Sequence, residues 1–357
     1  MNKSALINTI QGSVSSIKSL FSKSVEETLS PSGSLGIDIG SSSIKVVRLE
    51  VSKESFKVLS FAVEKIQDKN YREALSRALA KAKVAAGGFA VISVSGQGTI
   101  SRYVELPLMN KSELESSMKF EIEKYVPFPL AEVATTYTVV EEMRDKAKMT
   151  ILIAAAKNDL VQKKCALMNG VNVNVRVVDL DCLALANFAT QVIFAKEKKY
   201  CVCVIQMGRT VCHINILVDG VPQLSRDIFI GGDDITKKIS EALDLSYPEA
   251  EKLKNTPGTR QGEVLHIAEA VLNSLAEEIR ISLDYFEART NRAVDKIFMC
   301  GGLSRLAGLG DFLNHILSVD VKVLDFTDKL ILDSSLNQEE FKENSDLLPV
   351  ALGLALR

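Results

Sequence analysis

A strand that ends in a glycine turn and re-enters at once as a second strand occurs in two separate places in this chain. The first is Leu35-Gly-Ile-Asp-Ile-Gly-Ser-Ser-Ser-Ile-Lys-Val-Val47 and the second is Val204-Ile-Gln-Met-Gly-Arg-Thr-Val-Cys-His-Ile-Asn-Ile-Leu217. Gly40 lets the backbone turn tightly and approach a ligand closely. The hydroxyls and N–H groups of Ser41, Ser42 and Ser43 form the kind of loop that cradles phosphate oxygens. Asp38 stands at the strand end, where a carboxylate can hold a hydrated cation. In the second segment Gly208, Arg209 and Thr210 make the turn, and Asp219-Gly220 reads as a hairpin into a third strand. A third glycine site follows the short strand Ile297-Phe-Met-Cys300, where Gly301-Gly302 lead to a helix near Ser304. Repetition of one unit in two halves predicts two related lobes facing one nucleotide.

Composition fits this. A chain of 357 residues suits two or three lobes rather than one core. Its formal charge of −2 gives no reason to expect a nucleic-acid partner. The six cysteines are scattered, and Cys201 and Cys203 alternate within a strand, which reads as core packing in a reducing compartment. His213, His266 and His315 lie far apart inside apolar periods and read as structural. No apolar run is long enough to span a bilayer. No secretory leader is recognisable, which predicts a cytoplasmic protein.

Residues 1–33 are set apart. Leu6, Ile7, Ile10, Val14, Ile17, Leu20 and Phe21 recur at helical spacing among serines and lysines, and Ser30-Pro-Ser-Gly-Ser34 reads as a linker. This arm either packs on the protein's own surface or touches a membrane surface or partner helix. Further on, Asn110 with Glu113 predicts a capping box. Leu114, Met118, Ile122 and Tyr125 form the stripe of the helix it starts, and Pro127 and Pro129 stop that helix around Phe128. Strands near 135–141, 150–156 and 173–178 and a helix over 159–168 complete a predicted α+β unit. A helix over 181–195 leads to the second lobe, residues 327–346 read as loop, and 347–356 as an apolar final helix.

The three glycine segments resemble the phosphate-1, phosphate-2 and adenosine motifs of the actin/Hsp70/sugar-kinase superfamily. Within it the chain is similar to the PilM family of type IV pilus assembly proteins, relatives of the division protein FtsA. That similarity rests on Glu121-Ile-Glu-Lys-Tyr-Val-Pro-Phe-Pro-Leu130, Arg176-Val-Val-Asp-Leu-Asp-Cys-Leu-Ala-Leu-Ala-Asn187, Asp219-Gly-Val-Pro with Ser225-Arg-Asp227, and Leu348-Pro-Val-Ala-Leu-Gly-Leu-Ala-Leu-Arg357. It implies an α/β, actin-like (ribonuclease H-like) two-lobe fold with a small α+β insert. The implied division is a first lobe of 34–95, 179–198 and 345–357, an FtsA-like insert (1C) at 96–178, and a second lobe at 199–344.

The resemblance also implies ATP and Mg2+ as ligands. Asp38 would hold a magnesium-bound water beside Gly40, Ser41, Ser42 and Ser43. Lys45 points either to the phosphates or to solvent. Gly208, Arg209 and Thr210 would form the second loop, with Gly231 and Gly232 near the phosphates. Glu251 and Lys254 would contact ribose and base, or form an ordinary surface pair, and Gly301, Gly302 and Ser304 would frame the adenosine.

One departure stands out. The superfamily has an aspartate two residues before its second glycine, and here that residue is Gln206. An amide orients water but cannot take a proton, so hydrolysis is expected to be slow. The implied partner is the cytoplasmic N-terminal tail of the inner-membrane protein PilN, and through it PilO, recognised by the insert with Phe128 as an aromatic anchor or as part of the insert's own core. This would place the chain at the inner face of the inner membrane, in pilus assembly and twitching motility, as a scaffold. The alternatives are a small-molecule kinase of the same superfamily and a filament-forming protein.

Overall fold

In a computed structural model, residues 33–52, 55–195 and 200–357 are described; the arm expected at 1–33 lies outside them except for its last residue. The chain opens with the antiparallel strands β1 (Ser34–Ile39), β2 (Ser43–Val51) and β3 (Phe56–Lys65), followed by helix α1 (Tyr71–Lys81) and strand β4 (Phe89–Val94). Next come β5 (Thr99–Pro107), α2 (Lys111–Tyr125), β6 (Val133–Met143), β7 (Lys148–Lys157), α3 (Asn158–Asn169), β8 (Asn174–Leu180) and α4 (Asp181–Phe188). The second half contains β9 (Cys201–Met207), β10 (Cys212–Val218), β11 (Val221–Ile228), α5 (Gly232–Leu243), α6 (Tyr247–Asn255), α7 (Gln261–Thr290) and β12 (Lys296–Cys300). It closes with α8 (Leu309–Leu317), β13 (Asp320–Val323), β14 (Ile331–Leu332), α9 (Gln338–Asn344) and α10 (Pro349–Ala355).

The repetition seen in the sequence is a repetition of topology. One sheet runs β14-β3-β2-β1-β4-β8 and the other β11-β10-β9-β12-β13. In both, a three-stranded antiparallel meander is extended by two parallel strands beside its first strand. This is the two-lobe α/β architecture expected from the glycine segments. Both first strands are almost wholly buried, because helices cover both faces of each sheet.

The insert departs from its expected boundaries. Its sheet is β5-β7-β6, with α2 on one face. The predicted capping box is present: Asn110 Oδ1 accepts from the Glu113 N–H at 3.1 Å, and Glu113 Oε2 accepts from the Asn110 N–H at 2.9 Å. Strand β8, expected inside the insert, instead pairs in parallel with β4 in the first-lobe sheet. Helix α3 buries Val161 and Met168 in the first-lobe core as well. The inserted unit is therefore the three-stranded sheet and α2, residues 99–157.

Residues 327–346, expected as loop, carry β14 and α9. Strand β14 pairs with β3, so this stretch extends the first-lobe sheet. Phe341 is buried against Phe61, edge to face at 5.2 Å. The helix expected over 181–195 runs as α4 and then a π-helical turn, Ala189–Ile193.

Between the lobes, α4 and α10 cross. Every residue of α10 is buried, and so is every residue of α4 after Asp181. Gly353 lies so close to α4 that a Cβ placed on it would stand 1.8 Å from the Ala184 carbonyl oxygen. The contact is locked by Asn187, whose Nδ2 donates to the Gly353 carbonyl at 2.9 Å. Since overpacking a filled core typically costs about 1–3 kcal/mol, sometimes more, Gly353→Ala should fall at or above the top of that range. Thermal unfolding of this variant beside Gly302→Ala, whose added methyl meets only the Leu347 side chain at 3.8 Å, should show a large loss for the first and almost none for the second.

Candidate nucleotide cleft and insert crevice

The two glycine hairpins meet. Thr210 Oγ1 donates to Ser41 Oγ at 3.4 Å, across the gap between the lobes. On the second-lobe side the glycine segments are fastened to each other by backbone hydrogen bonds. The Gly232 N–H donates to the Gly208 carbonyl at 3.1 Å, and the Asp233 N–H donates to the Arg209 carbonyl at 2.8 Å. A Cβ on Gly231 would fall 2.4 Å from the Arg209 carbonyl oxygen, so nothing larger fits there. The N-terminus of α5, a 12-residue helix, thus sits directly behind the second loop.

Register explains the residues under each loop. Asp38 and Lys45 are cross-strand partners in the first hairpin, and Gln206 and His213 hold the same places in the second. In the first lobe the pair is an ion pair: Lys45 Nζ lies 3.0 Å from Asp38 Oδ2, and both side chains are buried. Lys45 is therefore not a solvent-facing lysine. Its ammonium sits inside the turn, 2.9 Å from where a Gly40 Cβ would be. The Asp38 carboxylate is already neutralised by this lysine.

In the second lobe the partners have separated. His213 Nδ1 pairs with Asp227 Oδ1 at 2.7 Å, and Nε2 lies 3.5 Å from Asp181 Oδ2. Asp181 comes from α4 in the first lobe, so this buried triad bridges the lobes. Gln206 Oε1 is left buried without a hydrogen-bond partner, beside the second loop. Burial alone would lower the histidine's pKa, but the two carboxylates outweigh it and push it up to about 10. For Asp181, burial acts upward, while His213 and Lys164 hold the carboxyl well below the usual range. His213 is structural, as its apolar surroundings in the sequence suggested, but as an imidazolium between two carboxylates.

Lys164 was not singled out in the sequence. It extends from α3 and donates to the Ile39 carbonyl at the end of β1, just before the first loop. Burial pulls its pKa down, opposed by the charges of Asp181 and Asp38. An exposed-looking Lys163-Lys164 pair on a helix gives no hint of this; only the docking of α3 under β1 does.

Arg209 does not extend into the gap. Its Nε donates to Asp233 Oδ1 at 2.8 Å and its Nη2 to the Tyr247 hydroxyl at 3.0 Å. Tyr247, whose hydroxyl donates to the same carboxylate, has its pKa pushed up to about 12 by burial and by that bond. Glu251 and Lys254 do share one helix face, paired at 2.6 Å, but Lys254 is buried. Its Nζ donates to the Gly232 carbonyl at 3.0 Å and to Thr236 Oγ1 at 2.7 Å, so it holds the glycine turn in place. The third glycine site splits its duties. Gly301, at φ +89°, would drive a Cβ to 2.5 Å from the Met207 carbonyl oxygen, whereas Gly302 is exposed with space around it. Ser304 is buried, and its hydroxyl donates back to the Gly301 carbonyl at 2.7 Å.

A second feature adjoins this cleft. The face of the insert sheet that looks at the first lobe carries Ala134 and Thr136 on β6 opposite Ala156 and Ala154 on β7. Four small side chains together leave a narrow crevice, closed on the far side by Val94, Val161, Val178 and Leu183. Thr136 Oγ1 is buried there without a partner. Phe128 is elsewhere: it lies half-buried on the insert's own core, with the Lys157 ammonium 4.9 Å above its ring.

Residues 36–357 match the sequence model of the family described as type IV pilus assembly protein PilM. Among solved structures, the chain is similar to a PilM-PilN type IV pilus biogenesis complex, at 23% identity and a TM-score of 0.80, covering 91% of this chain and 98% of that one. It is also similar to ethanolamine utilization protein EutJ from Carboxydothermus hydrogenoformans, at 12% identity and a TM-score of 0.52, covering 99% of both chains. The expected actin-like fold is the observed one.

The triad gives a pH dependence whose sign is fixed. A histidine raised to about 10 in the fold, against about 6.5 unfolded, contributes fully below pH 6.5. That contribution is lost as pH rises towards 10, because the native state then holds a proton the unfolded chain has released. Wild-type stability, measured by urea unfolding from pH 6.5 to 10, should fall more steeply than that of His213→Gln, by up to about 1.4 kcal/mol per pH unit.

Proposed function

Because the chain belongs to the type IV pilus assembly protein PilM family, we propose that it is an ATP-binding scaffold that receives the N-terminal tail of PilN in the crevice between insert and first lobe. The observation that carries this reading is the placement of α3. One turn of this helix puts Val161 into the crevice and Lys164 on the Ile39 carbonyl beneath the first glycine loop. The crevice encloses only about 30 Å³, so a peptide enters it by parting the insert from α3, the element that positions the loop.

The residues present fit a nucleotide. Gln206 Oε1 is a buried acceptor waiting for a donor such as an ordered water, Gly302 leaves open space for a ring, and the Gly40–Ser43 and Gly208–Thr210 turns face each other. Bound ATP would supply charge that the two loops share. Mg2+ is commonly held by phosphate oxygens, waters and one or two carboxylates. Asp38 is the carboxylate available, and Lys45 would have to share it. The residue that could take a proton from water is absent at position 206, so turnover is slow. A kinase reading lacks a free base: Asp38, Asp181 and Asp233 are each tied to a cation, and Asp234 accepts from the Gly231 N–H at 2.9 Å. No described helix is long and apolar enough to cross a membrane. Attachment to the inner face of the membrane would then come through PilN.

Calorimetry with Mg-ATP should show saturable binding to the wild type, with turnover below about 1 s⁻¹, the low end for enzymes. Gly302→Val, whose Cβ meets only the Leu347 side chain at 3.8 Å, should weaken binding at least about tenfold. Unchanged affinity would move the nucleotide elsewhere.

A synthetic PilN tail peptide should bind the wild type, and Ala134→Trp, whose ring is far larger than the roughly 30 Å³ the crevice encloses, should weaken it by a similar factor. Equal affinity for both proteins would remove the crevice from recognition, and binding to neither would undo the scaffold reading.

A further inference from the structure

The insert has a second, opposite junction with the body. Its edge strand β5 faces β11, the edge strand of the second-lobe sheet. Ser101 Oγ donates to the Ser225 carbonyl at 3.4 Å, and the Tyr103 hydroxyl meets Ser225 Oγ at the same distance. Between and beside these strands opens a groove of about 400 Å³, with α7 as its floor. That volume lies within the range of roughly 300–1,000 Å³ usual for ligand sites.

The floor is a single stripe. Ile281, Tyr285 and Arg289 follow one another at four-residue spacing, so they share a face of α7. Ile281 is 47% exposed and Tyr285 60% exposed, unusual for two large apolar side chains on one helix face. Arg289 continues the stripe. Its Nη2 donates to the Gln223 carbonyl at 2.6 Å, and its Nε is buried with no partner. Arg102 stands on the facing strand. Arg226, on β11, is neutralised by Glu278. Among the described residues, neither Arg102 nor Arg289 has a carboxylate within 4.0 Å. The groove therefore combines an apolar floor, two uncompensated guanidiniums and walls from two strands.

We propose that this groove is a docking site for an extended acidic segment of a partner protein, distinct from the crevice on the other side of the insert. Its backbone lies over the α7 stripe, beside the point where β5 and β11 meet. One apolar side chain of the segment rests on Ile281 and Tyr285, and a neighbouring carboxylate takes the buried Nε–H of Arg289, with Arg102 closing over it. Charge complementarity excludes a basic segment, and the apolar floor with its strand walls suits a peptide rather than a free anion. Ser225 and Arg226, of the sequence motif that the nucleotide cleft leaves partly unexplained, form one wall of this site. Asp227 behind that wall is the outer member of the His213 triad, so occupancy is felt at the lobe junction.

The probe is a fluorescein-labelled peptide of alternating glutamate and leucine, titrated by anisotropy at low salt, where charge contacts are least screened. Saturable binding below about 1 mM is expected. Tyr285→Ala alters only an exposed side chain and should weaken binding several-fold; Arg289→Ala should weaken it about tenfold or more, the scale of a charge-assisted hydrogen bond. Ala134→Trp should leave it unchanged. A peptide of alternating lysine and leucine should not bind. The proposal is overturned if no saturable binding occurs, if the lysine peptide binds equally, if Tyr285→Ala binds as the wild type does, or if Ala134→Trp abolishes binding.

Discussion

Two crossing helices hold this molecule together. Helix α4 leaves the first-lobe sheet and α10 returns to it after the second lobe, and they meet at a glycine that touches the opposing backbone. The surrounding core draws on both sheets, from Val47 and Val91 on one side to Val202 and Val204 on the other. Burial on this scale, at about 25 cal/mol per Å² of apolar surface, leaves no route by which the lobes can separate without unfolding the centre. The end of the chain is fixed as well: Arg357 Nε donates to Asp179 Oδ2 at 2.6 Å, with both side chains almost fully buried.

Above this pivot lies a row of alternating charges. It runs from Lys45 and Asp38 under the first loop, past Lys164, to Asp181, His213 and Asp227. Buried charges are costly unless each meets an opposite one, so the row is stable only as a whole. It crosses from the first lobe to the second and ends on β11. A new negative charge at the first loop, such as a phosphate, competes for Lys45 and alters the balance along the row. The row thus reaches both junctions of the insert with the body, since α3 borders the crevice and β11 meets β5.

The insert itself is thin. One face of its sheet is packed by α2, while the other carries alanines and a threonine where larger residues would have sealed it to the first lobe. Small residues there cost packing contacts that a sheet could otherwise have made. The crevice is what those missing side chains leave.

The sequence by itself determined the paired glycine hairpins, the capping box of α2, the buried stripe of Leu114, Met118 and Ile122 on it, though not Tyr125, which is exposed, and the apolar character of the last helix, because these depend on local turn geometry and on periodicity. It also carried the family resemblance through short strings of residues. Tertiary structure alone decided which sheet each strand joins: β8 reads like any other short apolar strand, and its partner β4 lies some eighty residues earlier. It decided that residues 331–344 form a strand and a helix on the first lobe, where Phe341 supplies the burial that the polar sequence around it conceals. It also decided the fate of each charge. Lys45, Lys164, Lys254 and His213 look alike in sequence as residues able to carry a proton, yet one closes a loop, one supports a carbonyl, one locks a turn and one bridges two lobes. Which carboxylate or carbonyl faces a buried cation is set by strand register and helix docking, and neither is written in the spacing of residues along the chain.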